Sequence, residues 1–473
     1  MAKTKIVATL GPASGSERML ARLILAGVNV FRLNFSHGTP EEHGLEVRRI
    51  RKISKMLGRN VAVMQDLRGP KIRMGTLSKE NLALKTGAVI KLFPGQKSSA
   101  DDMLPVTYPR LTSEVTKGDR ILLGDGEIEL KVLEISAGKV FCRVVAGGVT
   151  ASRKGINLPS RKLTISAITP KDRADLEFGV RAGVDLIALS FVRDARTVHE
   201  LRRLIKRAGG KDIPIISKIE SIGAIHNIDE IVEASDGVMV ARGDLGDEVP
   251  LQEIPILQKM IIRKANSQAR PVITATQMLK SMVENKRPTR AEVTDVANAI
   301  FDGTDAVMLS EETSVGKYPV DAVRIMSRTA AEAERHWAGD RGIERFGVPH
   351  THTAPEAISF SAVKMAEELK VKAIITPSRS GLTARLVSRF RPHAPIIALS
   401  PRPEIVKRLA LVWGVHACFM PHMETRPELL ESAFEFAREH LRLKKGDRVI
   451  ITAGLPIKSP GAPTNVVQIR EIN

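Results

Sequence analysis

The chain has 473 residues, of which 43% are hydrophobic and only 4% aromatic. That length suits about three domains, and that apolar content excludes wholesale disorder. Lysine and arginine outnumber aspartate and glutamate by 72 to 53, and the resulting +19 favours anionic partners: nucleic acid, an anionic membrane or phosphorylated metabolites.

The opening MAKTKIVATL runs straight into a strand at 4–10 and lacks a signal-peptide apolar region. Ser14 and Glu17 read as a capping box for a helix with Met19, Leu20, Leu23 and Ile24 on one face, stopped by Gly27. A strand at 29–35, a basic helical segment at 41–57 and a strand at 61–66 complete a βαβαβ rhythm, which predicts a parallel sheet. Residues 71–168 break it with short alternating segments such as VIKLF and KVFCRVV, the pattern of a small all-β insertion. Thr169, Pro170 and Asp172 then start a helix that Gly183 ends. Strands follow at 185–192, 213–219, 236–242, 271–276 and 305–310. Three strands before the insertion and five after it describe a TIM (β/α)8 barrel, with an open doubly wound sheet as the alternative.

From about residue 340 a linker-like stretch leads into VKAIITP, PIIALSP, VHACFMP and RVIITAG, alternating with helical segments as a C-terminal α/β domain. The expected architecture is therefore a barrel from 1–70 and 169–340, an inserted β-barrel from 71–168 and an α/β domain from 341–473. Two cysteines, Cys142 and Cys418, cannot build a disulfide framework or a cysteine zinc site, and no apolar stretch approaches a bilayer span. A cytoplasmic enzyme is expected.

In such a barrel catalytic groups sit at the C-terminal ends of strands. Six strands end in chemistry-bearing residues: Arg32, Asn34 and Ser36; Asp66; Lys218 and Glu220; Arg242, Gly243 and Asp244; Thr274 and Thr276; Ser310, Glu311 and Glu312. Spacing of i, i+2 puts Arg32 with Asn34, and Lys218 with Glu220, on one face. Glu220 and Asp244 are hard oxygen ligands suited to Mg²⁺ or Mn²⁺. Lys218 and Arg32 suit an anionic substrate, with Lys218 able to stabilise charge during group transfer. This describes metal-assisted chemistry on a phosphorylated or carboxylated small molecule. A Mg²⁺-enolate aldolase fits the same acids. A nucleic-acid binder fits the charge, but aromatics are sparse and no helix-turn-helix, zinc-finger or RRM pattern occurs.

The blocks KTKIVATLGPAS, FRLNFSHG, GPKIRMG, KGINLPS, ISKIES, DGVMVARGDLG, ATQMLKSM, RPTRAEVTDVANAI and DGTDAVMLSEE resemble, in order, those of the pyruvate kinase family. The resemblance covers essentially the whole chain and implies transfer of the phosphoryl group of phosphoenolpyruvate to ADP, giving pyruvate and ATP. It implies that Lys218 stabilises the transferring phosphoryl group and Arg32 grips it. Glu220 and Asp244 would hold the divalent metal, and Gly243, Asp244 and Thr276 would contact phosphoenolpyruvate or pyruvate. Arg73, Lys154, His37 and Pro12 would bind the nucleotide. Ser310 and Glu312 would help Thr276 place a proton-relay water.

The family's usual DTKGPEIRTG reads DLRGPKIRMG here. The resemblance makes Asn34, Ser36, Asp66 and the carbonyl of Leu67 a monovalent-cation region, where the usual glutamate is Lys71. Lys71 is expected to replace K⁺ with its own ammonium, because two cations at close range repel. The alternative is a solvated lysine with K⁺ still bound. Glu311 and Asp247 are smaller departures with acceptable surface readings. In the C-terminal domain Thr376, Ser378, Ser380, Gly381 and Thr383, followed by Arg385 and Arg389, resemble the family's effector-phosphate loop, and 454–465 its second loop. Ordinary helix capping is the competing reading. A phosphorylated effector and a homotetramer are implied by the resemblance.

Overall fold

The computed structural model describes residues 2–98, 100–124, 126–159, 166–337, 353–421, 426–441, 443–455 and 463–472. Eight parallel strands close into a barrel: Lys5–Thr9, Val30–Asn34, Ala62–Asp66, Leu186–Leu189, Ile215–Ile219, Gly237–Ala241, Val272–Ala275 and Ala306–Leu309. Each pairs with its neighbours in chain order, and the first closes on the eighth through Lys5 opposite Ala306. The doubly wound alternative is thereby excluded. The strands read as nearly unbroken apolar runs because helices cover one face and the barrel interior the other. Lys5–Thr9, Ala62–Asp66, Ile215–Ile219 and Gly237–Ala241 are buried at every position.

The local start and stop signals mostly act where expected. Thr169 caps the helix Pro170–Ala182 through a reciprocal box with Asp172, and Gly183 ends it in the left-handed region. The first helix differs. It runs Glu17–Ala26 and is capped by Ser16, whose side chain accepts from the Met19 N–H. Ser14 is buried and bonds Gly11 instead. Two serines two residues apart both fit the capping pattern, and the turn at Gly11 selects the later one.

Between the third and fourth barrel strands, strands from Asn81 to Asn157 form a six-stranded and a two-stranded sheet. Leu92, Leu104, Ile121, Leu130 and Val140 belong to the core of this insertion. The C-terminal sheet contains Ala373–Pro377, Ile396–Ser400, Val415–Phe419 and Arg448–Gly454 in parallel, with Thr464–Glu471 antiparallel at one edge. Its Ala410 and Leu411 join Val7, Val30, Ala62 and Met64 in one apolar cluster, so this unit plugs the base of the barrel. The opposite end, where the strands finish, is left for chemistry. No helix among the described residues is long and apolar enough to cross a membrane.

Candidate active site

At the strand ends, four charged side chains form a buried chain. Arg32 Nε lies 2.6 Å from Asp66 Oδ2, and Arg32 Nη1 donates to Thr9 Oγ1 at 3.1 Å. Asp66 Oδ1 is 3.4 Å from Lys218 Nζ, which in turn lies 2.8 Å from Glu220 Oε1. Glu220 Oε2 accepts the Phe191 N–H at 2.6 Å. Lys218 Nζ also donates to Ser190 Oγ at 2.8 Å, and Ser190 Oγ passes its own hydrogen to the Leu67 carbonyl at 2.7 Å.

Burial sets the electrostatics. It works against the Lys218 ammonium, but Asp66 and Glu220 outweigh it and hold the lysine above its ordinary pKa. Burial likewise opposes the Asp66 carboxylate, yet Lys218 and Arg32 hold it below the ordinary value. Glu220 goes the other way. Burial and the nearby Asp244 push it up to about 7 against the pull of Lys218. The lysine is shared between two acids, and Asp66 has Arg32 as well, so Glu220 is the less compensated partner. Glu220 and Asp244 thus form a donor pair that a divalent cation would relieve. Among the described residues no group of three or more metal-ligating side chains assembles. A two-carboxylate site suits a hard ion that takes its remaining oxygens from substrate and water.

Asp244 also faces Lys71, whose Nζ is 3.7 Å from its Oδ1. A Cβ at Gly155 would meet Lys71 Cε at 3.0 Å, so the glycine in KGINLP leaves the channel this lysine uses. Arg73 bridges to Gly155 and donates from Nη1 to the Arg153 carbonyl at 3.0 Å, and Lys154 is exposed beside it. Arg73 and Lys71 both lie against Gly155, the neighbour of Lys154, so the three basic residues are brought near one another. His37 and Pro12 are exposed near the ends of the second and first strands. A cleft of about 1160 Å³ opens between insertion and barrel, lined by Lys71, Asn157, Phe191 and Ser221 among others. Asp247 crosses to the insertion through a hydrogen bond from Asn157.

In the monovalent-cation region, Asn34 Oδ1 accepts the Ser36 N–H at 3.2 Å, and the Leu67 carbonyl is taken by Ser190. Lys71, the residue expected to replace K⁺ here, has Asp244 as its ion-pair partner at 3.7 Å. Thr276 has φ +70°, a costly region for a β-branched residue. Its Oγ1 accepts the Gly243 N–H at 2.8 Å, and Arg242 clamps its carbonyl at 2.7 Å. Thr274 is instead buried against Thr304. The two oxygens of Glu312 accept the Leu279 and Ser310 N–H groups at 3.0 and 2.8 Å, bracing two loops. Glu311 pairs with Lys280 on the surface.

In the distant 376–383 loop the hydroxyls are bonded internally. Ser378 accepts the Gly381 N–H, Ser380 the Leu382 N–H, Thr383 meets Thr464, and Thr376 donates weakly to the Ile397 carbonyl. Arg389 pairs with Glu356. Most of the second loop, 456–462, lies outside the described residues.

Two family models match: the pyruvate kinase barrel domain over residues 1–323 and the pyruvate kinase alpha/beta domain over 356–470. The chain belongs to the pyruvate kinase family. It is 46% identical to a pyruvate kinase of Geobacillus stearothermophilus over all of this chain and 80% of that one. It is 41% identical to one of Clostridium acetobutylicum over the full length of both. A crystal structure of a pyruvate kinase from Cryptosporidium parvum superposes with a TM-score of 0.93 at 38% identity, covering 99% of this chain and 96% of that one. As a pyruvate kinase, a phosphotransferase, it takes phosphoenolpyruvate and ADP to pyruvate and ATP. Phosphoryl transfer is thus favoured over the aldolase and nucleic-acid readings.

Sequence reasoning missed Ser190 and Thr9, the two hydroxyls that tie Lys218 and Arg32 in place. A single hydroxyl ending an apolar strand carries no charge signal to set it apart.

Proposed function

We propose that this pyruvate kinase works without added K⁺, through the buried chain Arg32–Asp66–Lys218–Glu220. In the reaction, the bond from phosphorus to the enol oxygen of phosphoenolpyruvate breaks as a bond forms to a terminal phosphate oxygen of ADP. The enolate left behind takes a proton at its methylene carbon. Lys218 stabilises the transferring group, and its three oxygen partners fix its ammonium at 2.8–3.4 Å before substrate arrives. Arg32 orients the phosphoryl oxygens. Glu220 and Asp244 would hold Mg²⁺ or Mn²⁺, which neutralises substrate charge when bound. Thr276 and Gly243 position the pyruvoyl end, Ser310 lies at the end of the eighth strand as the expected aid to proton delivery, and Arg73, Lys154, His37 and Pro12 receive the nucleotide.

The observation that carries K⁺ independence is Lys71, whose ammonium stands 3.7 Å from Asp244. It supplies a positive charge beside Asp244, while Asp66 and the Leu67 carbonyl already have partners of their own. ATP formation from phosphoenolpyruvate and ADP, measured with Mg²⁺ in tetramethylammonium buffer, is expected to change less than about twofold on adding K⁺. In Lys71→Glu, activity without K⁺ falls at least about tenfold and K⁺ restores part of it. Strong K⁺ activation of the wild type sinks the reading.

A phosphorylated effector at Thr376, Ser378, Ser380, Gly381 and Thr383, a homotetramer and a cytoplasmic location complete the proposal. The family resemblance supports the first two. The two unpaired cysteines, one of them buried, support the third.

A further inference from the structure

Between the base of the barrel and the C-terminal unit lies a cavity of about 240 Å³. Its barrel wall is made by the starts of the fourth to seventh strands, at Leu186, Ile216, Asp236 and Pro271. Its other wall carries three arginines, Arg385, Arg402 and Arg408, among apolar residues that include Ile405 and Leu411. Ser380 also lines it, whereas Thr376, Ser378 and Thr383 do not.

The charges here are unbalanced. Arg385 makes no hydrogen bond or ion pair among the described side chains, and its Nε is buried without a partner. The charges that act on it include Arg270, a like charge whose Nε is also buried without a partner while its Nη2 donates to the Glu233 carbonyl, and Asp236. Asp236 spends its Oδ2 on Arg202 Nη2 and the Ile215 N–H, each at 3.0 Å, and no ion pair joins it to Arg385. Arg402 pairs with Glu404 at 2.7 Å, and Arg408 reaches the Lys211 carbonyl at 2.9 Å, leaving donors on both forks. Asp212 is the other acid on the wall. A guanidinium out of water without a counter-charge is costly, and an anion of matching fork geometry removes that cost.

We propose that this cavity binds a small phosphate monoester, its phosphate on Arg385, Arg402 and Arg408 and its carbon body against Ile405, Leu411 and Ile216. The site shares only Ser380 with the hydroxyl loop at 376–383 and does not depend on that loop's role. Its position has a consequence for the reaction. The strands that begin at the cavity are those leading to Ser190, Lys218 and Glu220, Gly243 and Asp244, and Thr276. A ligand bonded to both walls ties the base of those strands to the C-terminal unit.

The test is calorimetric titration of the full-length enzyme with inorganic phosphate and with glycerol 3-phosphate. The wild type is expected to bind glycerol 3-phosphate saturably and more tightly than phosphate. Arg385→Gln and Arg402→Gln each weaken that binding at least about tenfold. Thr383→Val, at the hydroxyl loop, leaves it unchanged. Because Arg385 has no partner to lose, Arg385→Gln is expected to unfold no earlier than the wild type without ligand, which separates lost binding from lost folding. No saturable binding of either probe overturns the proposal. So does binding that survives both arginine changes, which places it at the catalytic end, or binding abolished by Thr383→Val alone, which places it in the loop.

Discussion

Lys218 stays charged in a buried setting because three oxygens converge on it, and only two of them are carboxylates. Ser190 is the third, and it also relays to the Leu67 carbonyl, so it fixes where the ammonium points. Ser190→Ala leaves one N–H of Lys218 without its acceptor. A hydrogen bond to a charged group contributes about 1.5–3 kcal/mol, so kcat is expected to fall at least about tenfold, with the KM for phosphoenolpyruvate changing much less. Steady-state kinetics check this, and an unchanged kcat removes Ser190 from the positioning role. The charged members of this chain were legible in the sequence because acids and bases at successive strand ends are conspicuous against apolar runs. Ser190 was not, since a hydroxyl after IAL looks like any strand terminus. Nor was the direction of Lys71, which depends on the room left by Gly155, a residue more than eighty positions later in the chain.

At the level of elements, the barrel strands were readable because burial on both faces removes polar alternation, and the helix Pro170–Ala182 because its two ends carry unambiguous signals. Loop bracing was less readable. Glu312 stands in a run of polar residues after the eighth strand, where an acid invites a catalytic reading. Yet it is 1% exposed and holds the amide of Leu279, on the loop after the seventh strand, together with that of Ser310. An amide in its place has one accepting oxygen, so Glu312→Gln sets an N–H₂ against a backbone N–H. The expected cost is about 1–3 kcal/mol in urea unfolding, the penalty for a buried donor left unpaired. A variant as stable as the wild type contradicts the bracing role.

Across the whole molecule, the catalytic end and the base of the barrel divide the work. The base is where the C-terminal unit attaches, and buried charge joins the two. Arg391 of that unit lies 2.8 Å from Asp305 at the start of the eighth strand, and Lys5 at the start of the first donates to the Val415 carbonyl at 2.8 Å. Lys5 is only 5% exposed. Burial lowers its pKa to about 8, although Glu334 and Asp305 oppose the shift. The sign follows from proton counting. Below pH 8 both folded and unfolded chains carry the proton, and the full cost of the buried charge is present. Between about pH 8 and the ordinary lysine value near 10.4, the unfolded chain holds more proton than the folded one, so stability rises with pH. The rise attributable to Lys5 is on the order of 3 kcal/mol. Lys5→Met keeps the apolar stem and loses the titration. The difference in unfolding free energy between wild type and variant, measured by urea from pH 7 to 10.5, is therefore expected to shift in favour of the wild type across that window. A difference independent of pH means that the ammonium is solvated and that the joint between barrel and C-terminal unit is wetter than its burial indicates.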